Sequence, residues 1–384
     1  MITDVRIYVI VGALALICIA LMVFNLLVIR QSKGQNEPSA RKIKKWKAII
    51  DKHINVASGK NAKYQSLSHN RFLIRKLGSS DRLLFYSIAL QKLKEESTNK
   101  FNKYIKARPL AFQRLAQKYA GKSGVERAFF AEVVCDFPQV AGDLSGQLAD
   151  ILVSFIPNSG IHCRAKVLRA LCSIGSAQGV ANALRVINDD NLFIHNKLLA
   201  SELSSFSGNK DELMDLLWQE CQKWSEDLKV SIVRFITRFS SRYTDKFFLP
   251  LQDSSVDTEV RIAIIRYYWQ HKYEPARNVL IGFITTTGVD VNLSIVAASA
   301  LVLYPSPETF DALRIAMSNP NWYVRHNAAS TIFRLDGKTY LTEISEDENS
   351  DNFARDVAKY MLKQIEDDTS QRVYEIASRK TVNK

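Results

Sequence analysis

Apolar and polar positions divide the chain into one long apolar stretch and many shorter amphipathic ones. Residues 7–29 read IYVIVGALALICIALMVFNLLVI and contain no charged side chain. A helix of these 23 residues would be roughly 34 Å long, which suffices to cross a hydrocarbon core of about 30 Å. A cleavable signal peptide has a shorter apolar core and a small-residue cleavage site, and a lipoprotein signal places a cysteine after a small residue. Because Cys18 follows Ile17 in the middle of the stretch, the pattern predicts a retained transmembrane helix.

The segment at 30–60 follows the apolar stretch and is basic and amphipathic. Apolar side chains recur in it at steps of three and four residues, which predicts a helix with one apolar stripe: Ile43, Trp46, Ile49, Ile50 and Ile54. Two interpretations are open. In one, the helix lies on an anionic leaflet and places these residues at the membrane surface: Arg41, Lys42, Lys44, Lys45, Trp46 and Lys47. In the other, it is a linker helix whose stripe packs on the following domain.

The rest of the chain is typical of an all-α protein. Apolar positions recur at helical spacing between breakers, without strand-like alternation. Gly and Pro number only 15 and 9, which disfavours sandwiches and barrels. We expect a helical region at 61–139, in which Val125 to Val134 could form a degenerate repeat unit, and a regular array of helix pairs at 140–365. A charged C-terminal tail follows at 366–384.

Two segments of the array share one pattern. Asn321 to Leu335 and Asp257 to Tyr267 each begin with an amide or acidic residue, continue with Val-Arg and end in an apolar run. Half of the distance between their arginines gives a frame of about 32 residues, within the range of periods that repeat proteins show. The frame predicts seven equivalent helix starts, of which Leu293 lacks the basic residue and Arg355 is the last. The other basic positions are Arg164, Lys197, Lys229, Arg261 and Arg325.

The Val324-Arg325 and Ala328-Ala329 pairs resemble the second helix of HEAT repeats, particularly of the bacterial lyase-type HEAT-like repeats. The resemblance covers residues 140–365 and implies an α-solenoid of helix pairs. It also implies that the basic residue of each unit bonds to turn acids of an adjacent repeat, which makes the basic positions structural. The alternative is a basic ridge that binds a polyanion.

Charge is unevenly distributed along the chain. The formal net charge is +13, but residues 30–127 alone hold 24 Lys and Arg against 6 Asp and Glu. Basic residues that flank a span stay on the cytoplasmic side, so we expect residues 1–6 to be extracytoplasmic and the chain after residue 29 to be cytoplasmic. The five cysteines form no CxxC pair, as is typical of reduced thiols. The sequence thus predicts a single-pass protein of the inner (plasma) membrane.

Residue types that carry catalysis do not form a recognisable motif. The chain has no Gly-rich phosphate loop, no GxSxG elbow and no HExxH pattern among its six histidines. We therefore predict that the chain is not an enzyme and holds neither a metal nor a cofactor. Some relatives of the lyase-type HEAT-like repeats are bilin lyases, so the resemblance leaves a bilin-lyase-like enzyme as an alternative.

Trp322 and Tyr323 stand at the start of a predicted helix, close to Arg325. Aromatic residues at exposed turns are common binding anchors, although packing on the adjacent turn is the other interpretation. Together with a membrane tether, they favour a non-catalytic scaffold or accessory protein whose solenoid binds a partner protein. The resemblance suggests a membrane glycosyltransferase of polysaccharide synthesis as that partner, and the basic segment suggests anionic lipid at the inner leaflet. The many basic and aromatic residues of 30–127 leave a nucleic-acid-binding module as a further alternative.

Overall fold

The computed structural model describes residues 39–54, 62–336 and 338–382. Within those ranges every regular element is a helix, so the predicted all-α class is confirmed. The predicted transmembrane helix at 7–29 and the segment at 1–6 lie outside the described residues. Among the helices of the described ranges, none combines the length and the apolar character that crossing a membrane requires.

The chain forms two compact units that divide between Gly179 and Val180. The first unit begins with α1 at 39–54 and ends with the first residues of α9. Its other helices are α2 (Ala62–Lys76), α3 (Ser80–Glu96), α4 (Thr98–Ile105), α5 (Pro109–Ala120), α6 (Gly124–Asp136), α7 (Ser145–Val153), α8 (Ile161–Ile174) and the start of α9 (Ala177–Asp189). Within this unit α5 packs on α2 and α7, and α6 packs on α3 and along α8.

The second unit continues α9 and adds eleven helices within the described ranges. They are α10 (Asn196–Ser204), α11 (Lys210–Gln219), α12 (Glu226–Phe239), α13 (Thr244–Gln252), α14 (Thr258–Tyr268), α15 (Ala276–Thr285), α16 (Val291–Ala300), α17 (Pro307–Ala316), α18 (Trp322–Asp336), α19 (Thr339–Glu346) and α20 (Asn352–Val382).

Helices of the second unit alternate between two layers. In one layer α10, α12, α14, α16, α18 and α20 pack side by side in chain order, and in the other α13, α15 and α17 do the same. The odd-numbered helices from α11 to α19 each pack on the helix that follows them in the chain. Because each helix contacts mainly its neighbours in the series, the packing within this unit is consistent with an α-solenoid.

Side-chain caps mark the beginnings of the last four helices of the first layer. Asp257, Asp290, Asn321 and Asp351 each accept a hydrogen bond from the backbone N–H two residues later, at 2.7 to 2.9 Å. Such caps satisfy one of the N–H groups that a helix N-terminus leaves without a partner. The steps from one cap to the next are unequal and shorten along the chain, so the spacing between these helix starts varies.

This variation corrects the predicted frame at two positions. Arg261 and Arg325 are each the fourth residue of their helix, but Lys197 is the second residue of α10, and Ser294 rather than Leu293 is the fourth of α16. A constant step accumulates an error because the connections between helices differ in length.

The predicted boundaries of the array also change. Arg127 is the fourth residue of α6, which is capped by Ser123, so the shared position extends upstream of residue 140. At the other end α20 continues to Val382, and the predicted charged tail at 366–384 is therefore helical up to that residue.

Candidate functional site

The residues that we predicted as partner-binding lie at the start of α18. Trp322 is 38% exposed and Tyr323 is 64% exposed, whereas Val324, the next residue along the helix, is buried. The ring of Trp322 lies 5.1 Å from that of Tyr360 on α20, in an edge-on arrangement. Trp322 is thus accessible and at the same time held by a neighbouring ring.

Two further aromatic residues, both on α20, extend this surface. Phe353 is 49% exposed and Tyr360 is 46% exposed. His326 of α18 lies 5.9 Å from Trp322 and 6.3 Å from Tyr360, measured between ring centroids. We call Trp322, Tyr323, His326, Phe353 and Tyr360 the aromatic cluster. We did not predict the two α20 residues from the sequence, although their separation of seven positions places them on one face of a helix.

Arg325 lies beside the aromatic cluster and is fixed by several contacts. Its guanidinium donates hydrogen bonds to the carbonyls of Asn319 and Pro320 at 2.7 and 2.8 Å. It also lies 4.6 Å from the ring centroid of Phe353 and 5.5 Å from that of Trp322. The resemblance led us to expect turn acids as its partners, and the structure instead gives backbone carbonyls and two rings.

The same type of contact recurs at the equivalent position of other helices. Arg261 donates to the carbonyl of Leu251 at 3.1 Å, and the Ser294 hydroxyl donates to that of Phe283 at 2.7 Å. Both acceptors lie near the end of the preceding helix, where carbonyls lack helical partners. The fourth residue of these helices therefore serves as a donor to the end of the helix before it.

The remaining predicted repeat positions have other environments. Lys229 pairs with Glu226 of its own helix at 2.8 Å, and Lys197 is exposed. Arg164 is buried, and its Nε has no hydrogen-bond partner among the described residues. The proposed ridge of equivalent basic residues is therefore absent at these three positions, where the side chains lie in different environments.

The apolar stripe of α1 packs on the first unit. Ile50 and Ile54 are buried, and Trp46 is 8% exposed. The Trp46 ring lies 6.1 Å from Phe72 of α2 and 5.4 Å from Tyr86 of α3. Of the two interpretations, the structure agrees with the packed helix, and our assignment of Trp46 to the membrane surface is wrong. Packing against these two rings removes the large apolar surface of Trp46 from water. Lipid is therefore not needed to cover it.

The basic residues of α1 differ in their surroundings. Lys47 forms an ion pair with Glu96 of α3, which raises the pKa of Lys47. The ammonium of Lys42 lies 4.8 Å from the centroid of the Phe85 ring. Arg41, Lys44 and Lys45 are exposed.

α1, α2 and α3 together form a cleft of about 960 Å³, which we call the basic cleft. Five cationic side chains line it, against the single carboxylate of Asp81: Lys42, Lys45, Lys52, Lys76 and Arg82. Within the described part of the chain, these five cations have no carboxylate at ion-pairing distance. Four aromatic or apolar side chains also line it: Trp46, Ile49, Phe72 and Phe85.

Two histidines lie in the lining of the basic cleft. Their rings, those of His53 and His69, are stacked with centroids 3.6 Å apart. His53 Nδ1 is 2.7 Å from the carbonyl of Ile49. His69 is only 2% exposed, and its burial, followed by the charge of Arg108, lowers the pKa of His69 to about 2. His69 is therefore neutral at physiological pH.

His69 is the end of a buried chain of hydroxyl groups. Its Nε2 is 2.8 Å from the hydroxyl of Tyr104, which is 3.1 Å from that of Tyr86. The other ring nitrogen, Nδ1, is buried and has no hydrogen-bond partner among the described residues. A buried polar atom without a partner costs about 1 to 3 kcal/mol, so the missing partner of Nδ1 requires an explanation.

The described residues were compared with the ligand sets and thiols that reactive sites use. No set of three His, Cys, Asp or Glu residues in the described ranges could hold a metal ion. Burial raises the pKa of the Cys163 and Cys221 thiols, which disfavours the thiolate that a nucleophilic cysteine needs. In comparisons with protein-family models and with curated proteins, the chain matches none of them.

Proposed function

We propose that the chain is a membrane-anchored, non-catalytic scaffold or accessory protein whose HEAT-like helical array binds a partner protein through the aromatic cluster. The observation that carries this proposal is the contiguous exposure of Trp322, Tyr323, Phe353 and Tyr360 on two adjacent helices. Large aromatic residues are enriched among the residues that dominate binding energy at protein interfaces, and contiguous exposed apolar patches mark such interfaces.

The support beside the cluster favours binding over incidental exposure. Arg325 is held by two backbone carbonyls and lies against the rings of Trp322 and Phe353, which restricts both rings before a partner arrives. A surface that is ordered in advance loses less side-chain entropy on binding. Tyr323 is the most exposed member and is the residue best placed to insert into a partner.

The class of partner follows from the resemblance and from the predicted anchor. A transmembrane helix at 7–29 would hold the helical array beside the cytoplasmic face of a membrane, within reach of membrane enzymes. Membrane glycosyltransferases of polysaccharide synthesis are the partner class that the HEAT-like resemblance indicates. In this proposal the scaffold positions such an enzyme and leaves the chemistry to it.

The proposal is tested by affinity capture of the full-length protein from membranes in mild detergent. Three forms are compared: wild type, Tyr323→Ala with Tyr360→Ala, and Leu249→Ala. Leu249 is 73% exposed and lies on α13, away from the aromatic cluster in sequence, so it controls for the general loss of exposed apolar surface. We expect an integral membrane protein to be recovered with wild type and with Leu249→Ala and to be lost with the double variant.

A shortened form that begins at residue 30 separates the contributions of the array and the anchor. Recovery of the same membrane protein would show that the array selects the partner. Recovery only with the full-length chain would assign part of the binding to residues 1–29. Equal recovery with the double variant and wild type, or recovery of no membrane protein, would overturn the proposal.

A further inference from the structure

We propose that the basic cleft is a binding site for a phosphate group carried by an organic molecule. Four observations support this: an excess of cations over carboxylates, a buried N–H donor without a partner among the described residues, apolar walls, and a volume larger than phosphate alone would need. The site is independent of the aromatic cluster, which belongs to the other unit.

The charge of the cleft favours a multiply charged anion. Five cations share the lining with one carboxylate, Asp81, and none of the five is in an ion pair within the described residues. Like charges crowded around one concave surface repel, and low-dielectric walls strengthen the field within a cleft. A dianionic oxyanion would remove this repulsion and accept hydrogen bonds from several ammonium groups at once.

The hydrogen bonds around His69 indicate which of its two ring nitrogens carries the proton. If Tyr86 donates to Tyr104 and Tyr104 donates to His69 Nε2, only the Nδ1–H of His69 lacks a partner. If the direction is reversed, both the Tyr86 hydroxyl hydrogen and the Nδ1 lone pair lack partners. The first arrangement leaves one unsatisfied group instead of two and is favoured. Within the described part of the chain, the Nδ1–H of His69 is therefore a buried donor without a partner on a residue that lines the cationic cleft, and an oxyanion that reached it would satisfy it.

The apolar walls and the size of the cleft indicate that the ligand is more than inorganic phosphate. Trp46, Phe72 and Phe85 contribute aromatic surface to a cleft of about 960 Å³. Pockets of roughly 300 to 1,000 Å³ typically enclose a molecule of drug size, with a few polar groups that fix its orientation. The cations would hold the phosphate, and the rings would contact the organic part.

Two sources could present this chemistry: the headgroup of an anionic phospholipid or a soluble phosphate ester. α1 begins ten residues after the predicted span ends at residue 29, and ten residues reach at most about 35 Å. A headgroup at the membrane surface is therefore within reach. The lipid source rests on the proposed membrane anchor, whereas the soluble source does not.

The test is calorimetric titration of the full-length protein in a zwitterionic detergent. The probes are inorganic phosphate, glycerol 3-phosphate, dihexanoyl phosphatidic acid and dihexanoyl phosphatidylcholine. We expect glycerol 3-phosphate to bind at least tenfold more tightly than inorganic phosphate. A further gain of tenfold or more with phosphatidic acid identifies the lipid source, and equal affinity for the two esters identifies the soluble source. Phosphatidylcholine, which has no net charge, should not bind.

Matched variants of α1 distinguish the cleft from general positive charge. Lys45 lines the cleft, and Lys44 is exposed on the same helix outside it. We expect Lys45→Gln with Lys52→Gln to weaken phosphate-ester binding at least tenfold and Lys44→Gln to change it less than twofold. Equal weakening by Lys44→Gln, absence of binding by all phosphate probes, or tighter binding of a single-stranded oligonucleotide than of the esters would overturn the proposal.

A spectroscopic measurement tests the role of His69 without a variant that could fail to fold. Long-range ¹H–¹⁵N correlation spectra of the full-length protein should show His69 as the Nδ1–H tautomer, with a chemical-shift change at that nitrogen when glycerol 3-phosphate binds. An Nε2–H tautomer, or an unchanged Nδ1 signal in the saturated protein, would contradict the assignment. Because the Lys45 and Lys52 variants should retain capture of the membrane partner, failure here is distinguishable from failure of the proposed scaffold function.

Discussion

Two networks of buried tyrosine hydroxyls, one in each unit, end in different ways. In the second unit Tyr243 donates to Asp215, and Tyr268 and Tyr304 donate to backbone carbonyls, so each of these three buried hydroxyls ends on an acceptor. In the first unit the chain that runs through Tyr104 ends at His69, whose second nitrogen has no partner in the described residues. Folding can evidently satisfy buried hydroxyls in this protein. Among the described residues, the Nδ1 of His69 is one of several buried nitrogens without a partner, and it is the one that belongs to a residue of the basic cleft.

The two regions also exchange the roles of aromatic and cationic side chains. At the basic cleft Trp46 is buried, whereas cations such as Lys45 are exposed. At the aromatic cluster the rings are exposed, and the cation Arg325 is held beside them. Cations thus line the proposed binding surface in one region and support it in the other, and burial rather than identity separates the two roles.

The largest expected difference between the regions concerns their tryptophans. Trp46→Ala should lower the free energy of unfolding of the first unit by about 3 to 5 kcal/mol, because it removes a buried ring and leaves a cavity against Phe72 and Tyr86. Trp322→Ala, at a site 38% exposed, should cost about 1 kcal/mol or less. Hydrogen exchange measured by mass spectrometry should show faster exchange in residues 39–54 for the first variant only. Unchanged exchange there would mean that the stripe does not hold α1 on the unit.

A smaller difference is expected between two Tyr→Phe substitutions. Tyr104→Phe leaves both the Tyr86 hydroxyl and His69 Nε2 without a partner and should cost about 2 to 4 kcal/mol. Tyr268→Phe removes one hydrogen bond to the Thr244 carbonyl and should cost about 1 kcal/mol. Urea denaturation of the full-length variants, with exchange data to locate the change, compares the two. Equal decreases in the free energy of unfolding would show that the hydrogen bonds of Tyr104 contribute no more to stability than that of Tyr268.

Acid should destabilise the first unit through His69. Its folded pKa, about 2, lies below its ordinary value of 6.5, so the unfolded chain binds a proton that the folded chain does not. Stability from this group is complete above pH 6.5 and falls by roughly 1.4 kcal/mol per pH unit below it, or about 2 kcal/mol by pH 5. The pKa of Glu126 is also lowered to about 2, but its contribution is lost only below its ordinary value of 4.5.

The pH effect is measured by denaturation between pH 7.5 and 5 for wild type and His69→Gln. We expect the decrease in stability to be present in wild type and reduced by the variant, which cannot bind the proton. Identical slopes for the two proteins would assign the pH dependence to other groups. Added glycerol 3-phosphate should raise wild-type stability if the basic cleft binds it.

Local patterns in the sequence predicted the helices better than their contacts. The apolar stripe of α1 was correctly placed, but periodicity alone does not say whether lipid or protein covers it. Similarly, the spacing of Phe353 and Tyr360 is visible in the sequence, whereas their proximity to Trp322 depends on the packing of α18 on α20. The pairing of His69 with Tyr104 joins residues 35 positions apart and has no local signal.

The repeat frame failed where connection lengths changed, and this gives the smallest of the expected effects. Arg325→Ala should lower the free energy of unfolding by about 1 to 2 kcal/mol, since it removes donors to the carbonyls of Asn319 and Pro320 and the support of two rings. Lys197→Ala should change it by less than about 0.5 kcal/mol because Lys197 is exposed and is the second residue of its helix rather than the fourth. Thermal denaturation compares the two variants, and Arg325→Lys, which keeps the charge but loses the planar guanidinium that lies against two rings, should fall between them. If Lys197→Ala proved as costly as Arg325→Ala, a frame of constant length would describe the protein better than the positions of its helix caps.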